Sequence, residues 1–193
     1  MVLHNLFVIE PLLFSHMHPK RKLILYIAMS LDGYIAKPDD SLDFLSLVEN
    51  EGEDYGYANF MDSIDTVIIG RRTYDKISSL GITSPHGNKK TYVITHKPNP
   101  KLENTIFYNG ELKSLVERLK SKQGLDIYCD GGAQVVTELL KNHLIDEFYI
   151  SVIPVLLGDG IKLFQYNETA SNLQLISAKS FEKGLVQLHY KTI

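Results

Sequence analysis

One stretch limits what this chain can fold into. Asp126-Ile127-Tyr128-Cys129-Asp130-Gly131-Gly132-Ala133-Gln134-Val135-Val136-Thr137-Glu138-Leu139-Leu140 changes its apolar period in the middle. Ile127, Tyr128 and Cys129, after one acid, suit a short buried strand. From Ala133 onward, Val135, Val136, Leu139 and Leu140 fall at helical spacing. Two adjacent glycines sit at the change. A strand that turns there directly into a helix leaves free N–H groups at the positive end of the helix dipole. No side chain then keeps a ligand away from the backbone. Alone this is also the sequence of a plain tight turn. The same design recurs in Thr66-Val67-Ile68-Ile69-Gly70-Arg71-Arg72-Thr73-Tyr74, where a β-branched strand breaks at glycine and a cationic turn opens a helix. Two such corners in one chain point to a phosphate or a flat cofactor.

With 193 residues, one compact domain is expected, able to bury about 70% of its unfolded surface. Residues 1–20 read as an N-terminal extension and 21–193 as a single domain. The apolar part of the extension is interrupted by Glu10 and Pro11, is too short to span a bilayer and has no basic leader before it, so neither a membrane span nor a secretory signal is expected. A net charge of −3 gives no reason to expect nucleic-acid binding. The single cysteine, Cys129, excludes an internal disulfide, suits a reducing, cytoplasmic setting and reads as a small buried hydrophobe. Seven histidines show no ligand spacing, and His16 and His18 lie in the extension, so no metal site is expected.

Residues 22–30 form a nearly continuous apolar run, the pattern of a central strand covered on both faces. It ends in Asp32-Gly33, a turn dipeptide. Residues 37–52 read as a long loop with one helical turn at 43–49, a length typical of functional lids. A helix is expected over 53–64, carrying Glu53, Asp54 and Asp62 and no Lys or Arg. Strands at 66–69, 91–95, 106–108 and 148–153 alternate with helices at 73–79, 111–121 and 133–144. Residues 173–181 and 185–192 then alternate as a terminal hairpin around Glu182, Lys183 and Gly184. The order predicts an α/β sheet, mostly parallel, with an antiparallel C-terminal edge.

Four pieces taken in order resemble a known family: 28–36 (AMSLDGYIA), 67–74 (VIIGRRTY), 130–133 (DGGA) and 154–160 (PVLLGDG). The chain resembles the dihydrofolate-reductase-like superfamily, in the branch that holds the C-terminal reductase domain of bacterial riboflavin biosynthesis enzymes, over residues 23–192. The resemblance implies a three-layer α/β/α fold with a mixed, mostly parallel sheet and an antiparallel C-terminal hairpin. It implies a reductase using NADPH. The backbone of Ala28 would hold the carboxamide and Ile35 would pack on the nicotinamide. Gly70, Arg71, Arg72 and Thr73 would take the pyrophosphate from one side, and Gly131, Gly132, Ala133 and Gln134 from the other. Thr95, His96 and Lys97 would approach the 2′-phosphate. Arg71 and Arg72 have an alternative, as surface residues paired with Asp75 or other carboxylates.

The implied chemistry is hydride transfer to a C=N or C=O carbon, with a proton from a carboxylic acid or an ordered water. The candidate acids are Asp54, Asp32 and Asp43. Asp32 can instead bond its own turn, and Asp43 can cap a helix. The family default substrate is 5-amino-6-(5-phosphoribosylamino)uracil. The alternatives are dihydrofolate reductase activity and a dimeric nucleotide-binding protein without turnover. Two departures bear on the substrate: the chain has no tryptophan, which folate reductases usually carry near the substrate acid, and 53–64 has no basic residue for a ribose phosphate. A homodimer is expected, since twofold dimers are the commonest assemblies.

Overall fold

The computed structural model describes residues 20–82, 85–97, 102–165 and 170–193. The expected extension therefore lies outside the described residues, apart from Lys20. Eight strands form one sheet. They are β1 (Leu23–Ser30), β3 (Ile64–Gly70), β4 (Lys90–Ile94), β5 (Thr105–Tyr108), β6 (Asp126–Gly131), β7 (Glu147–Ile153), β9 (Leu173–Ser180) and β10 (Val186–Thr192). A second, two-stranded sheet pairs β2 (Tyr34–Ala36) with β8 (Ile161–Lys162). The main sheet runs β5-β4-β3-β6-β1-β7-β10-β9. All neighbours from β5 to β7 are parallel, and β10 pairs antiparallel with both β7 and β9. The parallel core and antiparallel edge are as the sequence predicts.

Helices cover both faces. On one lie α3 (Leu112–Lys120) and α4 (Ala133–Lys141), whose Leu115, Val116, Val136 and Leu139 pack with Leu23, Leu25, Ile127 and Cys129. On the other lie α1 (Tyr57–Asp62), with Phe60 against Ile24, Val67 and Tyr128, and α2 (Arg71–Ser79), with Tyr74 against Ile69 and Val93. Alternate residues of one strand therefore feed different layers: Ile127 and Cys129 one way, Tyr128 the other.

Two local expectations change. The helix expected over 53–64 is confined to Tyr57–Asp62. Tyr55 and Gly56 have φ of 58° and 82°, a left-handed pair that cannot continue a helix backwards, and Ile64 already belongs to β3. β2 and β8, three and two residues long, are too short to show a period in sequence. The helical turn expected at 43–49 is a 3-10 helix, Asp43–Val48, whose Phe44 and Val48 are buried with Ile153 and Leu185.

β6 comes late in the chain yet lies between β3 and β1, so connections leave the sheet in opposite directions on either side of it. In open parallel sheets this reversal opens a crevice at the carboxyl ends of the strands. Gly70, Gly131 and Ser30 all end strands at that rim.

Candidate active site

The two glycine corners meet at the rim. Gly70 ends β3 and caps α2; Gly132 follows β6 and caps α4; neither helix has a side-chain cap. A Cβ placed on Gly70 would lie 3.3 Å from the Gly132 nitrogen and 3.2 Å from Val135 Cγ2. One placed on Gly132 would lie 2.8 Å from Thr73 Oγ1. Gly131 has φ of 90°, and the Gly131–Gly132 peptide is cis. Two helix N-termini with no side-chain cap thus open side by side, with Val135 and Thr73 packed against the glycines. This is the cradle that a diphosphate needs.

The other expected cofactor residues fall around this cradle. Gly70 is in register with Ile94 in β4, which brings Thr95, His96 and Lys97 to the same rim. Thr95 Oγ1 accepts the Lys97 N–H at 3.0 Å and fixes that turn, while His96 and Lys97 are exposed. Gln134 is exposed in the first turn of α4 and Ala133 is buried. Both arginines have carboxylate partners. Arg71 Nε donates to both oxygens of Asp75 at 2.8 Å, and its guanidinium lies 5.3 Å from the Phe107 ring centre. Arg72 donates to Asp40 in the 37–42 loop, at 2.6 Å and 3.1 Å.

On the α1 side of the sheet is a pocket of about 240 Å3. Ala28 of β1 and Ser151 of β7, partners in register, form its floor with Ile153 and Leu185. Leu45 and Val48 of the 3-10 helix and Asp54, Tyr55 and Tyr57 form its walls. A polar strip runs along one side. Gln187 Nε2 donates to the hydroxyl of Tyr26 at 2.9 Å, the carbonyl of Tyr55 at 3.2 Å and Ser151 Oγ at 3.3 Å. The volume is below the usual range for a whole ligand and suits one flat ring with its tail outside. Ile35 lies on the opposite side of the sheet from Ala28, half-buried against the main core.

The three candidate acids are held as carboxylates. Asp32 accepts from Ser30 Oγ at 2.6 Å, the Gly158 N–H at 2.7 Å and the Leu157 N–H at 3.1 Å. The Ser30 bond, more than the two amides, lowers its carboxyl to about 2. Asp32 thereby ties the turn after β1 to the glycine-bearing loop after β7. Asp43 forms an ion pair with Lys37 at 2.8 Å, and that hydrogen bond is the main cause of its lowered carboxyl. Asp54 accepts the N–H groups of Ala58 at 2.9 Å and Gly56 at 2.8 Å, which lower it likewise. Of the three, Asp54 lines the pocket. Cys129 is fully buried, and burial pushes its thiol up to about 12.

Among the described residues no cluster of three His, Cys, Asp or Glu could hold a metal, and no helix is long and apolar enough to cross a membrane.

The layer order, the reversal at β6 and the paired glycine corners define a dihydrofolate-reductase-like α/β fold. The profile of the RibD C-terminal domain family matches residues 21–187, and the chain belongs to that family. It is 44% identical to YwjB of Bacillus subtilis (strain 168), a protein described as uncharacterised, over 89% of this chain and 98% of YwjB. A crystal structure of a protein from Shewanella sp. PV-4 named for riboflavin biosynthesis matches with a TM-score of 0.82 and 30% identity, over 89% of this chain and 99% of that one. The dihydrofolate reductase of Enterococcus faecalis, solved with NADP(H), shares the fold at a TM-score of 0.60 and 18% identity, over 89% and 96%.

Proposed function

We propose that the protein is an NADPH-dependent reductase of a small heterocycle. The observation that carries this reading is the meeting of Gly70 and Gly132, two uncapped helix N-termini within contact of each other at the carboxyl ends of the parallel strands. When bound, the dinucleotide supplies a hydride at the nicotinamide. The first turns of α2 and α4 bind the pyrophosphate through backbone N–H groups. Arg72 and Lys97, exposed at the same rim, attract the remaining phosphate. The Ala28 backbone orients the carboxamide at the pocket floor, and Leu45 and Val48 keep water from the reacting carbon. Family membership makes 5-amino-6-(5-phosphoribosylamino)uracil the first substrate to try.

The chain has no tryptophan, so the emission of NADPH itself reports binding without protein background at the indole band. Titration is expected to give saturable binding of NADPH, tighter than NADH. Absence of both would end the proposal. Loss of reduced-nicotinamide absorbance on adding substrate then separates an enzyme from a nucleotide binder. The likeness to a dihydrofolate reductase favours dihydrofolate as the second substrate to try.

We also propose that it works as a homodimer through β9. That strand is at the sheet edge and exposes Leu173, Leu175 and Ile176. Sedimentation velocity at micromolar concentration tests this, and a monomer would refute it.

A further inference from the structure

The pocket and the cofactor rim carry opposite charge. Arg72, His96 and Lys97 are exposed at the rim, and none of them lines the pocket. The acids that line it are Glu49 and Asp54, and no Lys, Arg or His is among the lining residues. Both acids are exposed, so they stand at the mouth. The segment that joins them, residues 49–54, reads Glu-Asn-Glu-Gly-Glu-Asp, with four carboxylates and no base. The hairpin tip adds Glu182, which accepts from Asn50 Nδ2 at 3.1 Å. Lys183, beside it, donates to the Glu49 carbonyl, so its ammonium is engaged by backbone. The Glu49 carboxylate itself has no partner among the described residues. Asp54 accepts one N–H on each oxygen and keeps a lone pair on each. At the floor, Ser151 is 5% exposed; its Oγ accepts from Gln187, and its own hydroxyl donates to no acceptor among the described residues. Between floor and mouth the walls include Leu45, Val48, Ile153 and Leu185. The pocket thus offers one buried donor at the bottom and carboxylate acceptors at the top.

We propose that this pocket takes a neutral, amino-substituted pyrimidinone ring whose tail carries no phosphate, and that Glu49 is the residue that disfavours the phosphorylated form. This deepens the reductase reading above and rests on it for the pocket being the substrate's. A ring carbonyl accepts from Ser151 at the floor. Ring N–H and amino groups donate towards Asp54 and Glu49. The volume holds the ring alone, so the tail leaves through the mouth, past residues 49–54. A sugar tail is indifferent to that field. A phosphate there has acceptors only, carries up to two negative charges and meets an unpaired carboxylate. Repulsion of this kind acts without contact, over about 8 Å at physiological salt. It selects between two substrates that share one ring, by penalising the wrong one.

The test is calorimetric binding to the full chain, without dinucleotide, of 5-amino-6-(5-phosphoribosylamino)uracil and of its dephosphorylated form, 5-amino-6-ribosylaminouracil. The dephosphorylated form is expected to bind about tenfold tighter at low salt, with the gap closing as salt is raised. Glu49→Gln is expected to narrow the gap and Glu49→Lys to reverse it. The Glu49 side chain is exposed, so both variants are expected to melt as the parent does. Lys183→Ala is expected to leave the order of the two ligands unchanged. Four results would overturn the proposal: equal or tighter binding of the phosphorylated form by the parent, loss of that binding in Lys183→Ala, a gap that neither Glu49 variant moves, or no binding of either form. A parent that binds NADPH and prefers the phosphorylated form would sink this inference and leave the reductase reading standing. A parent that prefers the dephosphorylated form but binds no NADPH would sink the reductase reading and leave the pocket's preference standing.

Discussion

The side-chain position at Gly132 is already occupied in effect by Thr73: a Cβ there would lie 2.8 Å from its Oγ1. The backbone of Gly132, with φ of −80°, is open to any residue, so the constraint is space and not conformation. Gly132→Val is therefore expected to fold and to weaken NADPH binding at least tenfold, which is about 1.4 kcal/mol. Gly131→Ala carries an added backbone penalty from its φ of 90° and is expected to lose thermal stability as well. Fluorescence titration and thermal unfolding of the two variants make the comparison.

Arg72 and Arg71 should separate. The Arg72 side chain is 73% exposed and its bond to Asp40 is a surface ion pair, worth roughly 0–1 kcal/mol. A cofactor phosphate can take it over at little cost. Arg71 is held by Asp75 and Phe107. Arg72→Ala is expected to weaken NADPH several-fold and to flatten the salt dependence of binding. Arg71→Ala is expected to do less. Equal effects would mean that the Asp40 contact has no bearing on the cofactor.

Asp32 makes the acid stability of the protein predictable in sign. Its folded carboxyl lies near 2, below the ordinary value of 3.8, so it favours the folded state at every pH above the ordinary value. That contribution fades as pH falls from about 4 towards 2. Asp32→Ala is expected to lower the melting temperature at pH 7 and to make much less difference at pH 2. A difference that stays constant between the two would show that its three hydrogen bonds do not depend on charge.

Cys129 should be silent in the native protein. It is wholly buried on β6, and its thiol is pushed up to about 12 by that burial. A thiol reagent is expected to find one group only after denaturation. Cys129→Ser puts a hydroxyl in the apolar layer between Leu25 and Ile68, at a cost of about 1–3 kcal/mol, measurable by denaturant unfolding.

Much of this was legible because the chain announces its changes of period. The switch at Gly131-Gly132 marks the end of β6 and the start of α4 to within a residue, since strand and helix patterns abut there without a loop. The start of α1 is not legible, because apolar spacing from Tyr57 to Ile64 says nothing about the left-handed Tyr55 and Gly56 before it. The pocket was legible only in part: Ala28 and Asp54, which line it, are among the site residues the sequence suggests, but its polar strip is not. Tyr26, Ser151 and Gln187 lie on β1, β7 and β10, and Gln187 bonds a partner 161 residues away. Only the strand order makes them neighbours. Their one sequence signal is alternation: Tyr26 and Ala28 point to the same face of β1.

The late position of β6 bears on how the protein is made. A nascent chain that ends before Asp126 already carries β1 and β3, but they are not each other's neighbours in the finished sheet. A gap one strand wide must stay open until synthesis reaches the final third, with two unpaired apolar edges facing it. Pairing across such sequence distance is slow. The interval before β6 arrives is then when this polypeptide is most exposed to aggregation, and when a chaperone that shields strand edges would raise its yield.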